Sequence, residues 1–265
     1  MTASTRPLDG AIALVTGAAS GIGHAITHRF AADGATVVAA DIDDAGLARL
    51  TEELGGAVHT VHCDVTSEAQ VEAACAEATA LGGLHIAVAN AGRGAFAPVV
   101  DHPLEEWRAI MDLCVTGVFL TVKHAGRAMS DGGSIITIAS LNGTQPSAGM
   151  SAYCTAKAGV MMFTKVAAME LGPRGIRVNA IAPGLVQTNA TGAFWMVPGV
   201  VEEFVENTTL GRFALPGDIA AAAAYLAGPD SSFVSGSVLA VDGGASTKRY
   251  PDLPAAFARM AAPTE

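Results

Sequence analysis

The chain has 265 residues and a formal net charge of -10. That length can bury a large core in one domain, and the acidic balance argues against nucleic acid or an anionic membrane surface as partner. Hydrophobic residues make up 51% and aromatics 5%. No stretch reads as uniform enough to span a bilayer and no secretory leader is visible, so a cytoplasmic protein is expected.

Residues 11–16 form a short apolar run with the character of a buried parallel strand. They lead into Gly17-Ala-Ala-Ser-Gly21-Ile-Gly23 and a helical stretch over 24–32. A strand, a glycine-rich turn and a helix let backbone N–H groups approach a pyrophosphate at a helix N-terminus. The spacing Gly-x-x-x-Gly-x-Gly is one residue longer than the usual dinucleotide fingerprint; the bland alternative is a loop using glycine only for tight turns. A second strand over 36–40 ends in Asp41. A carboxylate there accepts hydrogen bonds from adenosine ribose hydroxyls and repels a 2′-phosphate; otherwise it caps the next helix. Ser20 stands where a basic residue would meet that phosphate, and no cation follows Asp41 until Arg49. Both features favour NAD over NADP.

Further strands are expected over 58–63, 85–89, 134–139, 177–180 and 238–241. With helical stretches between them, they imply an α/β fold: one parallel, doubly wound sheet of about seven strands with helices on both faces. Ligands of such sheets sit at the carboxyl ends of the strands. Gly17, Asp41, Asp64, Asn90 and Ser140 all fall there. No linker or repeat divides the chain, so residues 1–265 read as one domain. Its four cysteines, Cys63, Cys75, Cys114 and Cys154, show no metal or disulfide spacing and read as reduced thiols. Strand periodicity puts His59 and His62 on opposite faces, so zinc, and any metal, is not expected.

Residues 151–163 read as helix, placing Tyr153 and Lys157 one turn apart on one face. An ammonium at Lys157 would favour the Tyr153 phenolate, lowering its pKa from the usual value of about 10. A phenol so tuned trades a proton with an alcohol or carbonyl. Ser140 lies thirteen residues before Tyr153 and would orient the substrate oxygen.

Together these residues resemble the short-chain dehydrogenase/reductase family across nearly the whole chain, about residues 11–244. The run from Thr16 to Gly23 matches its cofactor motif. Asp64-Val65 looks like its adenine contact, Asn90-Ala91-Gly92 like the motif after its fourth strand, and Asn179-Ala-Ile-Ala-Pro183-Gly184 like its nicotinamide loop. Val241-Asp-Gly-Gly244 matches its closing motif. The resemblance implies a Rossmann-type fold and a secondary alcohol and ketone interconverted by hydride transfer with NAD. It assigns catalysis to Ser140, Tyr153 and Lys157, with Lys157 also on the nicotinamide ribose. It assigns the cofactor to Gly17, Ser20, Gly21, Ile22, Gly23, Asp41, Ile42, Asp64, Val65, Asn90, Ala91, Gly92, Pro183, Gly184, Val186 and Thr188 as well as Tyr153 and Lys157. A homotetramer is implied too.

Two positions depart from the family. Ala89 replaces the first of two asparagines before Ala-Gly. Cys114, in Cys114-Val-Thr-Gly117, replaces the asparagine said to hold a proton-relay water. A thiol is a weak donor and acceptor. Either another group holds that water or the relay is impaired, which leaves a catalytically weak NAD-binding protein as an alternative reading; an NADPH-dependent 3-oxoacyl-thioester reductase is another. In the family, the segment corresponding to 187–213 covers the substrate. Phe194 and Trp195 at its centre, with Phe96, Leu141 and Met150, suggest an apolar pocket for a cyclic or aromatic small molecule; equally, Phe194 and Trp195 only pack a helix. The tail over 245–265 contains a break at Tyr250-Pro-Asp-Leu-Pro254 and a short helix over 255–262. It reaches a neighbouring subunit or stays a disordered end.

Overall fold

Each apolar run becomes a strand with a neighbour on the side its hydrogen bonds need. The computed structural model describes residues 6–261. The strands are β1 (Ile12–Thr16), β2 (Thr36–Asp41), β3 (Val58–His62), β4 (Ile86–Ala89), β5 (Gly133–Ile138), β6 (Ile176–Pro183) and β7 (Val238–Val241). They form one seven-stranded sheet in the order β3-β2-β1-β4-β5-β6-β7, with every pairing parallel.

Successive residues of a strand point to opposite faces, and a sheet covered twice needs apolar side chains on both. On one face Leu14, Val38 and Ala40 pack with Val71 and Ala74 of α3 (Glu68–Ala80). They also meet Val118 and Val122 of α5 (Gly117–Ala128) and Val160 of α6 (Ser151–Leu171). On the other, Ala13, Val15, Val37 and Ala39 pack with Ile26 and Phe30 of α1 (Gly21–Ala32), Leu47 of α2 (Asp44–Leu54) and Ile219 of α9 (Pro216–Ala227). Burying a side chain such as Phe30 stabilises by roughly 1.5–3 kcal/mol relative to exposure.

The chain winds outward from β1 to β3, then crosses back to set β4 beside β1. The loops after β1 and β4 therefore diverge, which opens a crevice at their carboxyl ends. β6 runs past the expected 177–180 because β5 pairs with it from Ile176 to Ile181 and β7 carries it on, Ala182 facing Ala240 and Pro183 facing Val241. Proline has no N–H to continue the ladder.

Helix α4 (Leu104–Met111) passes through a widened turn at Asp112–Thr116 into α5. The sequence reading expected no membrane-length apolar run, but residues Leu104–Ala128 form a helix of 25 residues long and apolar enough to cross one. Its apolar character serves the core, since Ile110, Cys114, Val118, Leu120, Val122 and Ala125 are buried inside the fold. Beyond β6, α7 (Gly192–Trp195) and α8 (Val200–Glu206) cover the cleft. The chain closes on α10 (Leu253–Ala261), which starts before the expected 255; residue 262 of that expectation lies outside the described residues.

Candidate active site

A cleft of about 620 Å³ runs across the carboxyl ends of the strands. At its first end the backbone is cramped. Gly17 has φ +65°, and a Cβ there would lie 2.9 Å from Asn90 Nδ2. A Cβ on Gly23 would sit 2.0 Å from the Gly17 carbonyl oxygen, so α1 approaches β1 only because this residue is glycine. Asn90 fastens the turn: its side-chain amide donates to the carbonyls of Thr16 (2.9 Å) and Gly17 (3.1 Å), and its N–H donates to Thr16 Oγ1 (3.0 Å). Asp41 fastens it from β2, accepting from the Ala19 N–H at 2.9 Å and the Asp43 N–H at 3.0 Å. The alternative reading of Asp41 as the cap of α2 fails, because Asp43 takes that place and accepts from the Gly46 N–H.

Ser20 sits at the N-cap of α1 with no side-chain capping bond and lines the cleft beside Gly17, Gly21 and Ile22. Ile42, exposed, and Val65, buried, form a slot with Asp64. Asp64 also turns the chain into α3 by accepting from the N–H and hydroxyl of Thr66. On the far side of the glycine turn stand Pro183, Gly184, Val186 and Thr188; a Cβ on Gly21 would lie 3.2 Å from the Thr188 methyl. A glycine cradle that a Cβ would fill, an uncapped helix start and a strand-end carboxylate fit a dinucleotide.

At the other end Ser140 follows β5, while Tyr153 and Lys157 rise from the first turns of α6. The Lys157 ammonium is buried and donates to the Ile138 carbonyl at 2.7 Å, with its nitrogen 5.5 Å from the Tyr153 ring centre. Ser140 Oγ accepts from the Asn142 N–H at 3.2 Å. Here the structure departs from the expected lowering of Tyr153 by Lys157. Burial pushes the Tyr153 phenol up to about 12, while a hydrogen bond with Ser140 pulls it down. Lys157 is itself lowered by burial and partly restored by the nearby Cys114. Desolvation wins because the ammonium is engaged by a carbonyl rather than by the phenol oxygen.

Cys114 occupies the widened helical turn and is fully buried. Its thiol donates weakly to the Arg93 carbonyl at 3.4 Å. A Cβ on Gly92 would meet the Cys114 sulfur at 3.3 Å and the Lys157 nitrogen at 3.5 Å, so thiol and ammonium converge over the same glycine. Ala91 lines the cleft alongside.

Phe96, Leu141, Met150 and Phe194 line the cleft at the end where Ser140 and Tyr153 stand, and Trp195 does not. Its indole N–H donates to Thr191 at 3.4 Å, and its ring stands edge-on to Phe213 at 4.8 Å. On a single helical turn, neighbouring residues point in different directions. The sequence reading missed Asn142, Leu185, Phe204 and Tyr250, which line the same end. Only Tyr250 carried a signal, as one of three tyrosines in the chain. Also unanticipated, among the described residues, is a group close enough to share a metal ion: His24 and His28 of α1 meet one oxygen of Glu53 on α2 at 2.9 and 2.8 Å. His62, weighed for zinc, pairs with Asp44 at 2.8 Å.

A dinucleotide-type turn at the switch in strand order, facing a serine, tyrosine and lysine across one cleft, defines a nicotinamide-dependent oxidoreductase. The family model described as Enoyl-(Acyl carrier protein) reductase matches residues 17–246. A 3-alpha-(or 20-beta)-hydroxysteroid dehydrogenase of Mycobacterium bovis is 42% identical over 240 residues, 89% of this chain and 90% of that protein. A galactitol 2-dehydrogenase (L-tagatose-forming) of Cereibacter sphaeroides is 41% identical over 89% of this chain and 95% of its own. The solved structure of a protein described as a putative NAD(P) dependent gluconate 5-dehydrogenase from Beutenbergia cavernae, with NADP bound at low occupancy, superposes with TM-score 0.87 and 34% identity. It covers 92% of this chain and 100% of that one. The chain belongs to the short-chain dehydrogenase/reductase family.

Proposed function

We propose that this protein interconverts a secondary alcohol and a ketone on an apolar, cyclic frame, with NAD as the cofactor. The observation that carries the reading is the shared cleft: Ser140, Tyr153 and Lys157 at one end, the glycine turn and Asp41 at the other. When bound, the nicotinamide ring supplies the hydride acceptor or donor. Ser140 and Tyr153 hold the substrate oxygen by hydrogen bonds. Tyr153 takes the hydroxyl proton in oxidation and returns it in reduction. Lys157 favours the phenolate once its ammonium faces the phenol, and the apolar walls exclude water.

Asp41 supports NAD, because a carboxylate at the end of β2 repels a 2′-phosphate. Arg49, the first cation after it, lies 3.7 Å from Asp43. The NADP held by the Beutenbergia relative makes cofactor preference a measurement. The hydroxysteroid relative is consistent with a cyclic substrate lying against Leu141, Met150 and Phe194. The description of the matching family model favours, as a second reading, a reductase of acyl thioesters, for which NADPH would be the cofactor we expect. A homotetramer in the cytoplasm completes the proposal.

The test is NADH formation from NAD with cyclic, aromatic and aliphatic secondary alcohols, and the reverse reaction with ketones, beside Tyr153→Phe. Turnover on cyclic alcohols that vanishes in the variant supports the reading. Turnover only on acyl thioesters with NADPH selects the second one. NADH binding without turnover in either direction makes the protein a silent nucleotide binder and turns attention to Cys114.

A further inference from the structure

The chain beyond β7 was expected to reach a neighbour or hang free, yet it folds back over its own cleft. Lys248 Nζ donates to the Glu206 carbonyl at 2.7 Å. Arg249 pairs with Glu203 at 2.8 Å, and the same carboxylate accepts from the Asp252 N–H at 3.2 Å. Leu253 and Ala256 are buried in a small cluster with Met150, Val197, Val200 and Phe204. These ties hold Tyr250 edge-on to Phe204, ring centres 5.5 Å apart, on the wall of the cleft.

The Tyr250 hydroxyl donates to Asn142 Oδ1 at 3.2 Å. Ser147 and the Tyr153 phenol lie close enough to bear on its ionisation, the first easing it and the second opposing it. A phenol has one donor and two acceptor positions. With Asn142 taking the donor, acceptor capacity remains on the phenol oxygen. Asn142 in turn spends one amide hydrogen on the Gln145 carbonyl at 3.1 Å and its backbone N–H on Ser140. A polar chain thus runs from the catalytic serine through Asn142 to Tyr250, along a wall otherwise built from Leu141, Met150, Leu185, Phe194 and Phe204.

We propose that Tyr250 and Asn142 form a second oxygen-recognition point in the cleft, which takes a hydroxyl carried elsewhere on the same apolar frame as the reacting carbon. The inference rests on the alcohol–ketone reading and narrows it to substrates with two oxygen functions. In an apolar pocket the few polar groups set specificity. A site built to pair a hydroxyl discriminates against the analogue lacking it, because its own polar group is then left unpaired.

The test uses the full chain loaded with NADH and matched ligands differing by one remote hydroxyl: cyclohexane-1,4-diol with cyclohexanol, and a dihydroxysteroid with its monohydroxy analogue. Calorimetry gives each dissociation constant, and turnover with NAD is followed in parallel. The wild type is expected to prefer at least one diol by about tenfold or more. Tyr250→Phe, which keeps the ring and its packing, should bring that ratio, taken within the variant, to about one by weakening the diol more than the mono-alcohol. Asn142→Leu, which removes the partner from the other side, should do the same and stands in if the first variant misfolds. Absence of a diol preference in the wild type overturns the proposal, as does equal weakening of both ligands in Tyr250→Phe. A diol preference in binding without turnover of any alcohol would sink the alcohol–ketone reading and leave this subsite standing. Turnover without preference would do the reverse.

Discussion

The two ends of the cleft are built on different physical grounds. The cofactor end is made of backbone: glycines whose Cβ atoms have no room, carbonyls clamped by Asn90, and amides held by Asp41. The substrate end is made of side chains brought from six separate places, Phe96, Leu141, Met150, Phe194, Phe204 and Tyr250. A backbone cradle tolerates almost no change at its glycines and accepts one ligand shape. A side-chain wall can be re-cut one residue at a time, which lets one fold serve many substrates.

The sharpest separation of the two ends is Tyr153→Phe. Turnover should fall by about 10²–10⁴-fold, the usual worth of a positioned acid–base, while NADH affinity measured by fluorescence stays the same. A parallel collapse of NADH affinity would show that the ends are not independent. Next is Gly23→Ala, which forces a methyl against the Gly17 carbonyl. Overpacking of that kind costs about 1–3 kcal/mol or more, so the melting temperature and NADH binding should both drop. Gly192→Ala, at the substrate end, meets nothing within 4 Å and should leave both unchanged.

A smaller contrast lies between neighbours. Phe194→Ala should raise KM for apolar alcohols by about tenfold. Trp195→Ala should lower the melting temperature and spare KM, since its ring packs on Phe213. Equal effects on KM would return Trp195 to the pocket.

Alkaline stability probes the substrate end through its tyrosines, on top of the loss that the buried thiols Cys63 and Cys75 contribute over the same range. Burial raises Tyr153 and Tyr250 to about 12 each. The folded state holds both protons more tightly than the unfolded chain, whose tyrosines titrate near pH 10. The stability linked to them is therefore fully present below about pH 10 and lost as pH rises through about 12, at most about 2–3 kcal/mol per tyrosine. Melting curves across that range should fall less steeply for Tyr250→Phe than for the wild type. The smallest effect is expected for Cys114→Asn, a change of no more than about tenfold in kcat with NADH affinity intact. A larger gain would mean that the thiol limits the proton relay.

The strands, the doubly wound sheet and the glycine turn were legible because each is a short-range pattern: apolar runs of strand length, glycines at turn spacing, and a tyrosine and lysine one helical turn apart. Edges were less legible. β6 reached Pro183 because β7 pairs with it beyond the end of β5, and α6 ran to Leu171 on contacts that no local spacing records.

Sequence alone determined which residues gather at the strand ends around the glycine turn, since glycine, aspartate and asparagine there act through their own backbone and nearest neighbours. Tertiary structure alone decided that Phe194 faces the cleft while Trp195 turns away, and that Lys157 spends its ammonium on Ile138. It also decided that Tyr250 meets Asn142 across 108 positions of chain. Such contacts depend on how packed elements meet, and desolvation and partner choice are set there rather than by the order of residues.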